Sequence, residues 1–285
     1  LLVGQQADEE ILLSVAFELM EATGIKVKPF LEKHNNQIAV NITHYIDDKI
    51  NKLLYTYPLD GPNCWNFACY TSGVVKGISH TSQKEFNFLL ESPLAQKVEK
   101  VEDLRLGDVL ALRSMDDEDL RSEVHGVTYL TPNLWLNKSG VTSDSRFEIA
   151  DSVHVANKYK KYRGEFLNAF RMKKLDVYLK ENRENISEEL LDFYEEFSVL
   201  ESRFNSLYLN IDGNSRQSRA KAQELLDGFL AEFYVYTSSQ SLWPKKMHQS
   251  EEFLYEYMKL RLDSIESVEQ HFRYYNKLLT LSKYL

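Results

Sequence analysis

Apolar residues recur at every second position only between about residues 106 and 157; on either side they recur at steps of three and four. That change of period constrains the fold more than any other feature. Side chains alternate faces along a strand, whereas a helix returns to one face every three to four residues. Asp108–Arg113 sets Val109, Ala111 and Arg113 against Leu110 and Leu112, after the turn Leu106-Gly107-Asp108. Val124–Leu130, Leu134–Lys138, Phe147–Ile149 and Val153–Ala156 follow as short strands, with turns at Thr131-Pro132-Asn133 and Lys138-Ser139-Gly140. An antiparallel meander is predicted.

The flanks read as helix. Asp8, Glu9 and Glu10 open one whose stripe is Ile11, Val15, Leu19 and Ala22, and Gly24 closes it. A second is predicted over Ile38–Leu54, on Ile42, Ile46, Ile50 and Leu53. Beyond residue 158 the spacing predicts four helices, about 160–182, 187–210, 215–237 and 249–283, packed as a bundle. Leu190, Phe193, Phe197 and Leu200 mark one core stripe; Leu254, Met258, Leu262 and Ile265 mark another. The fold class is therefore α+β, in three parts: an N-terminal helical segment (1–55), an α+β core (56–157) and a C-terminal helical bundle (158–285).

Composition narrows the function. The net charge of −9, with no cluster of five or more Lys/Arg, argues against nucleic acid as a ligand. The two cysteines, Cys64 and Cys69, lie five apart on one predicted helix. That separates them by about 140° around the axis and ~7.5 Å along it, so they do not pair. No Cys/His spacing of the zinc-finger kind occurs, and Asp116-Asp117-Glu118-Asp119 lacks the alternating calcium-loop pattern; no metal or cofactor is expected. No apolar run approaches the ~18 residues that span a membrane. The opening Leu1-Leu2-Val3 lacks Met and is compatible with a removed signal peptide, so a periplasmic or secreted location is the expectation.

The chemistry centres on Gly61-Pro62-Asn63-Cys64-Trp65-Asn66-Phe67-Ala68. A Gly-Pro turn delivers Cys64 to a helix start with Asn63 as N-cap. Free N–H groups and the helix dipole there favour thiolate over thiol. Of the seven histidines, His125 is best placed as its base, because it opens the strand His125-Gly126-Val127-Thr128 and Gly126 permits close backbone approach. Asn137 lies twelve residues on, on the next strand, where its amide oxygen would accept the ring N–H. Asn133 or Ser139 would replace it if the hairpin register slips. His80, in a loop after the cysteine helix, is a weaker rival base.

Cys64 at a helix start, then Leu106-Gly107-Asp108-Val109-Leu110, then His125-Gly126-Val127-Thr128-Tyr129-Leu130, then a polar residue one strand later, together resemble the papain-like NlpC-type cell-wall peptidases and CHAP amidases over residues 55–157. The resemblance implies a papain-like core that cleaves a peptide amide, chiefly in peptidoglycan. Cys64 would be nucleophile, His125 general base and Asn137 the orienting residue. The oxyanion would be held by the Cys64 N–H with Tyr57 or Asn63. Trp65 and Asn66 stand where that family usually has Ser-Gly, and Trp65 narrows the space beside the thiol. The alternative is a catalytically silent papain-like domain whose helical bundle binds a protein or envelope partner.

Overall fold

A computed structural model describes residues 2–5, 9–34, 37–54, 61–114, 123–141, 145–162, 164–209 and 248–281, with isolated helical positions at 224, 227, 228 and 231. Tyr57, the Asp116–Asp119 acidic run and most of the helix expected over 215–237 lie outside the described residues. The chain forms two antiparallel sheets covered by helices, an α+β arrangement.

The smaller sheet takes β1 (Leu2–Gln5), β2 (Leu31–His34) and β3 (Gln37–Val40) in the order β1-β3-β2. Helix α1 (Glu9–Thr23) starts on Glu9 and Glu10 and stops at Gly24, whose φ of 69° is the left-handed conformation of a helix C-cap. The helix expected over Ile38–Leu54 is not continuous. Ile38 and Val40 are buried on one side of β3, a short 3-10 turn covers Thr43–Tyr45, and α2 is only Asp48–Leu53. Asp47 caps α2 by accepting the Lys49 N–H at 2.8 Å, which fixes its start ten residues late.

The larger sheet has six strands: β4 (Ala95–Val98), β5 (Val109–Ser114), β6 (Glu123–Thr131), β7 (Leu134–Lys138), β8 (Phe147–Asp151) and β9 (Gly164–Met172). Their order is β4-β9-β5-β6-β7-β8, and every neighbouring pair is antiparallel. Helices α3 (Cys64–Thr71) and α4 (Gln83–Glu91) cover one face, with Phe67, Phe86 and Leu89 packed in one core with Val109, Ala111 and Leu136. Helix α5 (Ser152–Lys160) covers the other, with Val155 and Tyr159 against Leu110, Leu112, Val127 and Trp135.

Two expectations are corrected here. Val153–Ala156 is helix rather than strand, because Asp151 accepts the His154 N–H at 2.7 Å and caps α5. The helix expected over 160–182 divides into the end of α5, the strand β9 and α6 (Leu175–Glu181). The expected boundary at residue 157 thus falls inside α5, and β9 from beyond it lies between β4 and β5.

Helices α7 (Glu188–Leu209) and α8 (Gln249–Leu281) match the periodicity of their segments. Phe197, Leu254, Met258 and Ile265 join the same core as Leu19, Phe67 and Leu136, so one apolar interior draws on all three predicted parts. Arg261 on α8 is fully buried: its guanidinium donates to Glu201 on α7 at 2.5 Å and to Glu85 on α4 at 3.5 Å. It also donates to the carbonyls of His80 and Gly77 and to the Ser79 hydroxyl, so α8 holds the loop that follows α3. Among the described residues no helix is long and apolar enough to cross a membrane.

Candidate active site

Cys64 is the first residue of α3. Gly61, at φ 137°, turns the chain into the helix, and its N–H donates to the Val141 carbonyl at 2.9 Å. Asn63 caps the helix, its Oδ1 accepting the Asn66 N–H at 2.9 Å while its Nδ2 donates to the Thr81 carbonyl at 2.7 Å. Asn66 is fully buried and serves the same loop: Nδ2 donates to the Gly77 carbonyl and the Thr81 hydroxyl, and Oδ1 accepts the Ser79 N–H. Asn63 and Asn66 therefore tie α3 to residues 77–81. The amide oxygen of Asn63 is engaged as a cap, and its NH₂ is engaged with the loop.

The imidazole is held from the sheet. His125 is fully buried, and its Nε2 lies 2.8 Å from Asn137 Oδ1. The Asn137 NH₂ in turn donates to Glu148 Oε1 at 2.7 Å and to Ser139 Oγ at 3.1 Å. A carboxylate accepts only, so Glu148 fixes which end of the amide faces the ring, and Nε2 must carry the proton. Nδ1 then keeps its lone pair, and that atom is buried with no hydrogen-bond partner among the described residues. On one side of the ring the Tyr159 phenol stacks at 3.6 Å between centroids and 10° between planes, shielding the histidine–asparagine bond from water.

The thiol meets the same strand at Gly126. Burial pushes Cys64 up to about 11; the N–H groups of Gly126 and Trp65, then the Lys138 charge, oppose that rise. Lys138 is fully buried, donates to the Gly140 carbonyl at 2.9 Å and lies 5.7 Å over the Phe147 ring. Burial pulls His125 down to about 3, against the favourable Asn137 bond and with a further lowering from Lys158. At neutral pH the two groups are thus a neutral thiol and a neutral imidazole.

At Gly126 side chains from both α3 and α4 come close to the strand. A Cβ there would lie 3.0 Å from Phe86 Cζ and 3.2 Å from Trp65 Cδ1. Trp65 is half-buried and stacks on Phe86, with centroids 6.0 Å apart. Strand alternation decides the rest. Gly126 pairs with Ala111 on the α3 face, and His125 pairs with Leu112 on the α5 face. Asn137, next to Leu136, shares the α5 face. Cys64 comes to the sheet from the α3 side, and no hydrogen bond joins its thiol to the imidazole.

The structure thus brings Asn137 to His125 and brings Cys64 to the neighbouring Gly126. It places Trp65 against Gly126 and gives Asn63 a capping and tethering role. The rival base His80 is tied through Nδ1 to the Gly61 carbonyl at 2.8 Å. Neither alternative orienter bonds the imidazole. Ser139 accepts from Asn137, and the backbone N–H of Asn133 is held by Thr131 Oγ1. Glu148, Tyr159 and Lys138 were missed by sequence reasoning. Alternation across β7 and β8 was the one available signal for Glu148, which pairs with Asn137 in register. Among the described residues no group of three or more His, Cys, Asp and Glu side chains is arranged to hold a metal ion. Comparisons of the chain with protein-family models, with curated proteins and with solved structures return no match.

Proposed function

We propose that the protein is a papain-like thiol amidohydrolase that cleaves a peptide amide, with bacterial peptidoglycan as its substrate and the periplasm or cell exterior as its place of action. One observation carries this reading: Nε2 of His125 is committed to Asn137, which leaves an unengaged Nδ1 beside the strand residue that meets Cys64. In the reaction His125 Nδ1 takes the Cys64 proton, and the thiolate sulfur attacks the amide carbon. The carbonyl electron pair moves to oxygen, where the Cys64 N–H stabilises it. His125 then returns the proton to the leaving amine as the C–N bond breaks. Water, deprotonated by the same ring, releases the acyl group and restores the thiol. Asn137, held by Glu148, keeps the ring in the required tautomer throughout.

A second reading has its own observation in support. The imidazole and α3 lie on opposite faces of the sheet, and the thiol is 8 % exposed. Those features suit a catalytically silent papain-like domain whose helices bind a protein or envelope partner. The two readings are separated by digesting purified peptidoglycan and a peptide library with the wild type and with Cys64→Ala, reading products by mass spectrometry. Products from the wild type alone support the hydrolase. No product from either substrate, with a folded protein, rules that reading out for these substrates and favours the silent domain.

A further inference from the structure

Strand alternation sorts the groups around the candidate nucleophile onto two sides of the sheet. On β7, Asn137 shares the α5 face with His125, and the next residue, Lys138, returns to the α3 face, from which Cys64 reaches the sheet. The contacts of Lys138 agree. Its ammonium stands over the Phe147 ring at 5.7 Å, and that ring packs on Phe67 of α3 with centroids 4.7 Å apart. It donates to the Gly140 carbonyl at 2.9 Å, and the next residue, Val141, accepts the Gly61 N–H at 2.9 Å. The turn that carries the ammonium is thereby fastened to the segment that leads into Cys64. Lys138 is fully buried, where a unit charge is felt more strongly than in water.

The other ionisable groups packed around the thiol offer it no positive charge at neutral pH. His125 on β6 is pulled down to about 3, chiefly by burial, and is a neutral imidazole. Tyr159 on α5 is raised by burial and then by the Cys64 charge, so it stays a neutral phenol. Cys69 on α3 is raised by burial and then by Glu85, so it stays a thiol. Glu148 on β8 accepts from Asn137, Lys158 on α5 acts on the imidazole, and His80 is tied to the Gly61 carbonyl. Burial raises the Cys64 thiol, and among charged side chains it is Lys138 that opposes the rise.

We propose that Lys138 is the cationic partner of the Cys64 thiolate, a positioning residue that holds the sulfur's negative charge from the α3 side of the sheet. When the thiol proton leaves, the anion forms in the field of a fixed, buried ammonium. Lys138 itself gives up no proton and forms no bond; it stays an ammonium throughout. The catalytic use of that charge rests on the thiol-hydrolase reading. The charge coupling between the two side chains does not, and it is measured without any substrate.

Alkylation of the full chain by iodoacetamide at about pH 9 tests it, with label on Cys64 told from label on Cys69 by fragment mass spectrometry. Lys138→Gln keeps a donor for the Gly140 carbonyl and loses only the charge, so Cys64 should react on the order of 10-fold more slowly than in the wild type. Lys138→Arg restores the charge and should return the rate to within about 3-fold of the wild type. A structural role would act in the opposite direction, because a loosened helix start exposes the thiol and speeds alkylation. The proposal is overturned if folded Lys138→Gln reacts as fast as the wild type or faster, or if Lys138→Arg is as slow as Lys138→Gln. A second arm leaves Lys138 in place and reads its ε-carbon titration by NMR in Cys64→Asp and Cys64→Asn, which share the same helix start. A permanent anion at position 64 should move the Lys138 midpoint upward by about one pH unit relative to the neutral amide. Equal midpoints in the two variants overturn the proposal whatever the fate of the lysine variants. Failure of either arm leaves the hydrolase reading standing, since that reading is judged by products from peptidoglycan and peptides.

Discussion

Replacing Arg261 with Met tests how the helices hold the cysteine helix in place. The guanidinium is wholly buried between Glu201 and Glu85, which are 2 % and 0 % exposed, and it also serves two carbonyls and the Ser79 hydroxyl. Methionine fills much of the volume but supplies no charge and no donor. Removing one member of a buried ion cluster costs about 3–5 kcal/mol, because the remaining charges keep their desolvation penalty without compensation. Urea unfolding followed by circular dichroism at pH 8 should show a loss of that size. Acidification should shrink the loss, since Glu85, whose carboxyl burial already raises to about 7, escapes burial as an anion by taking up a proton, at ~1.4 kcal/mol per pH unit. The double variant Arg261→Met/Glu201→Gln should regain part of the stability, a coupling of more than about 1 kcal/mol. A loss below about 1 kcal/mol at pH 8, or an equal loss at pH 5 and pH 8, would refute the argument that charge burial sets the effect.

Four further outcomes follow from the same geometry. Burial raises the Glu85 carboxyl to about 7 in the folded state, so between about pH 4.5 and 7 the folded chain keeps a proton that the unfolded chain releases. Stability due to this group is therefore full below about pH 4.5 and falls by about 3 kcal/mol as pH rises to 7; Glu85→Gln should remove that slope in the wild-type-minus-variant difference. With the thiol at about 11, two units above its ordinary value, alkylation of Cys64 by iodoacetamide at pH 7.5 should run roughly 100-fold slower than for a free thiol and keep rising past pH 9. A rate that levels off below pH 8 would contradict the neutral resting pair. Asn137→Asp puts a carboxylate in place of the amide against Nε2 and should move the His125 titration, read by NMR of the ring carbons, upward from about 3. Gly126→Ala forces a methyl against Phe86 and Trp65, so it should cost about 1–3 kcal/mol and shift the Trp65 fluorescence maximum.

The meander was legible because its strands alternate with one face on α3 and the other on α5. Five-residue β7 and its neighbours carry that signal in their own side chains. β9 was not legible. Phe166 and Phe170 stand four apart and read as a helix stripe, and the segment becomes a strand only through pairing with β4 and β5, far away in sequence. α5 was misread for a local reason: Val153 and Val155 are β-branched and alternate, but Asp151 caps the backbone two residues earlier. At the candidate site, the Asn137 contact was readable from strand order. The β6–β7 register brings Asn137 level with the neighbourhood of Val127, and the amide reaches His125 diagonally on the same face. What sequence did not reveal is the face on which His125 stands relative to α3, since that depends on the parity of each strand against a helix whose packing is non-local. The Asn63 cap was readable, but the bonds by which Asn63 and Asn66 hold residues 77–81 were hidden for the same reason, because that loop is fastened by Arg261 more than 180 residues away.

The strand order also sets a schedule for synthesis. β5 leaves the ribosome with β6 following soon after, but its other edge must wait for β9, about 60 residues later. At translation rates of ~5–20 residues per second that interval is about 3–12 s. During it, a strand whose first four side chains end up buried presents open backbone groups to any passing chain. The nascent protein is therefore most exposed to aggregation in that window, and slower elongation would lengthen it. A transcript pause between β5 and β9 would be harmful, and the same pause after Met172 would be tolerated.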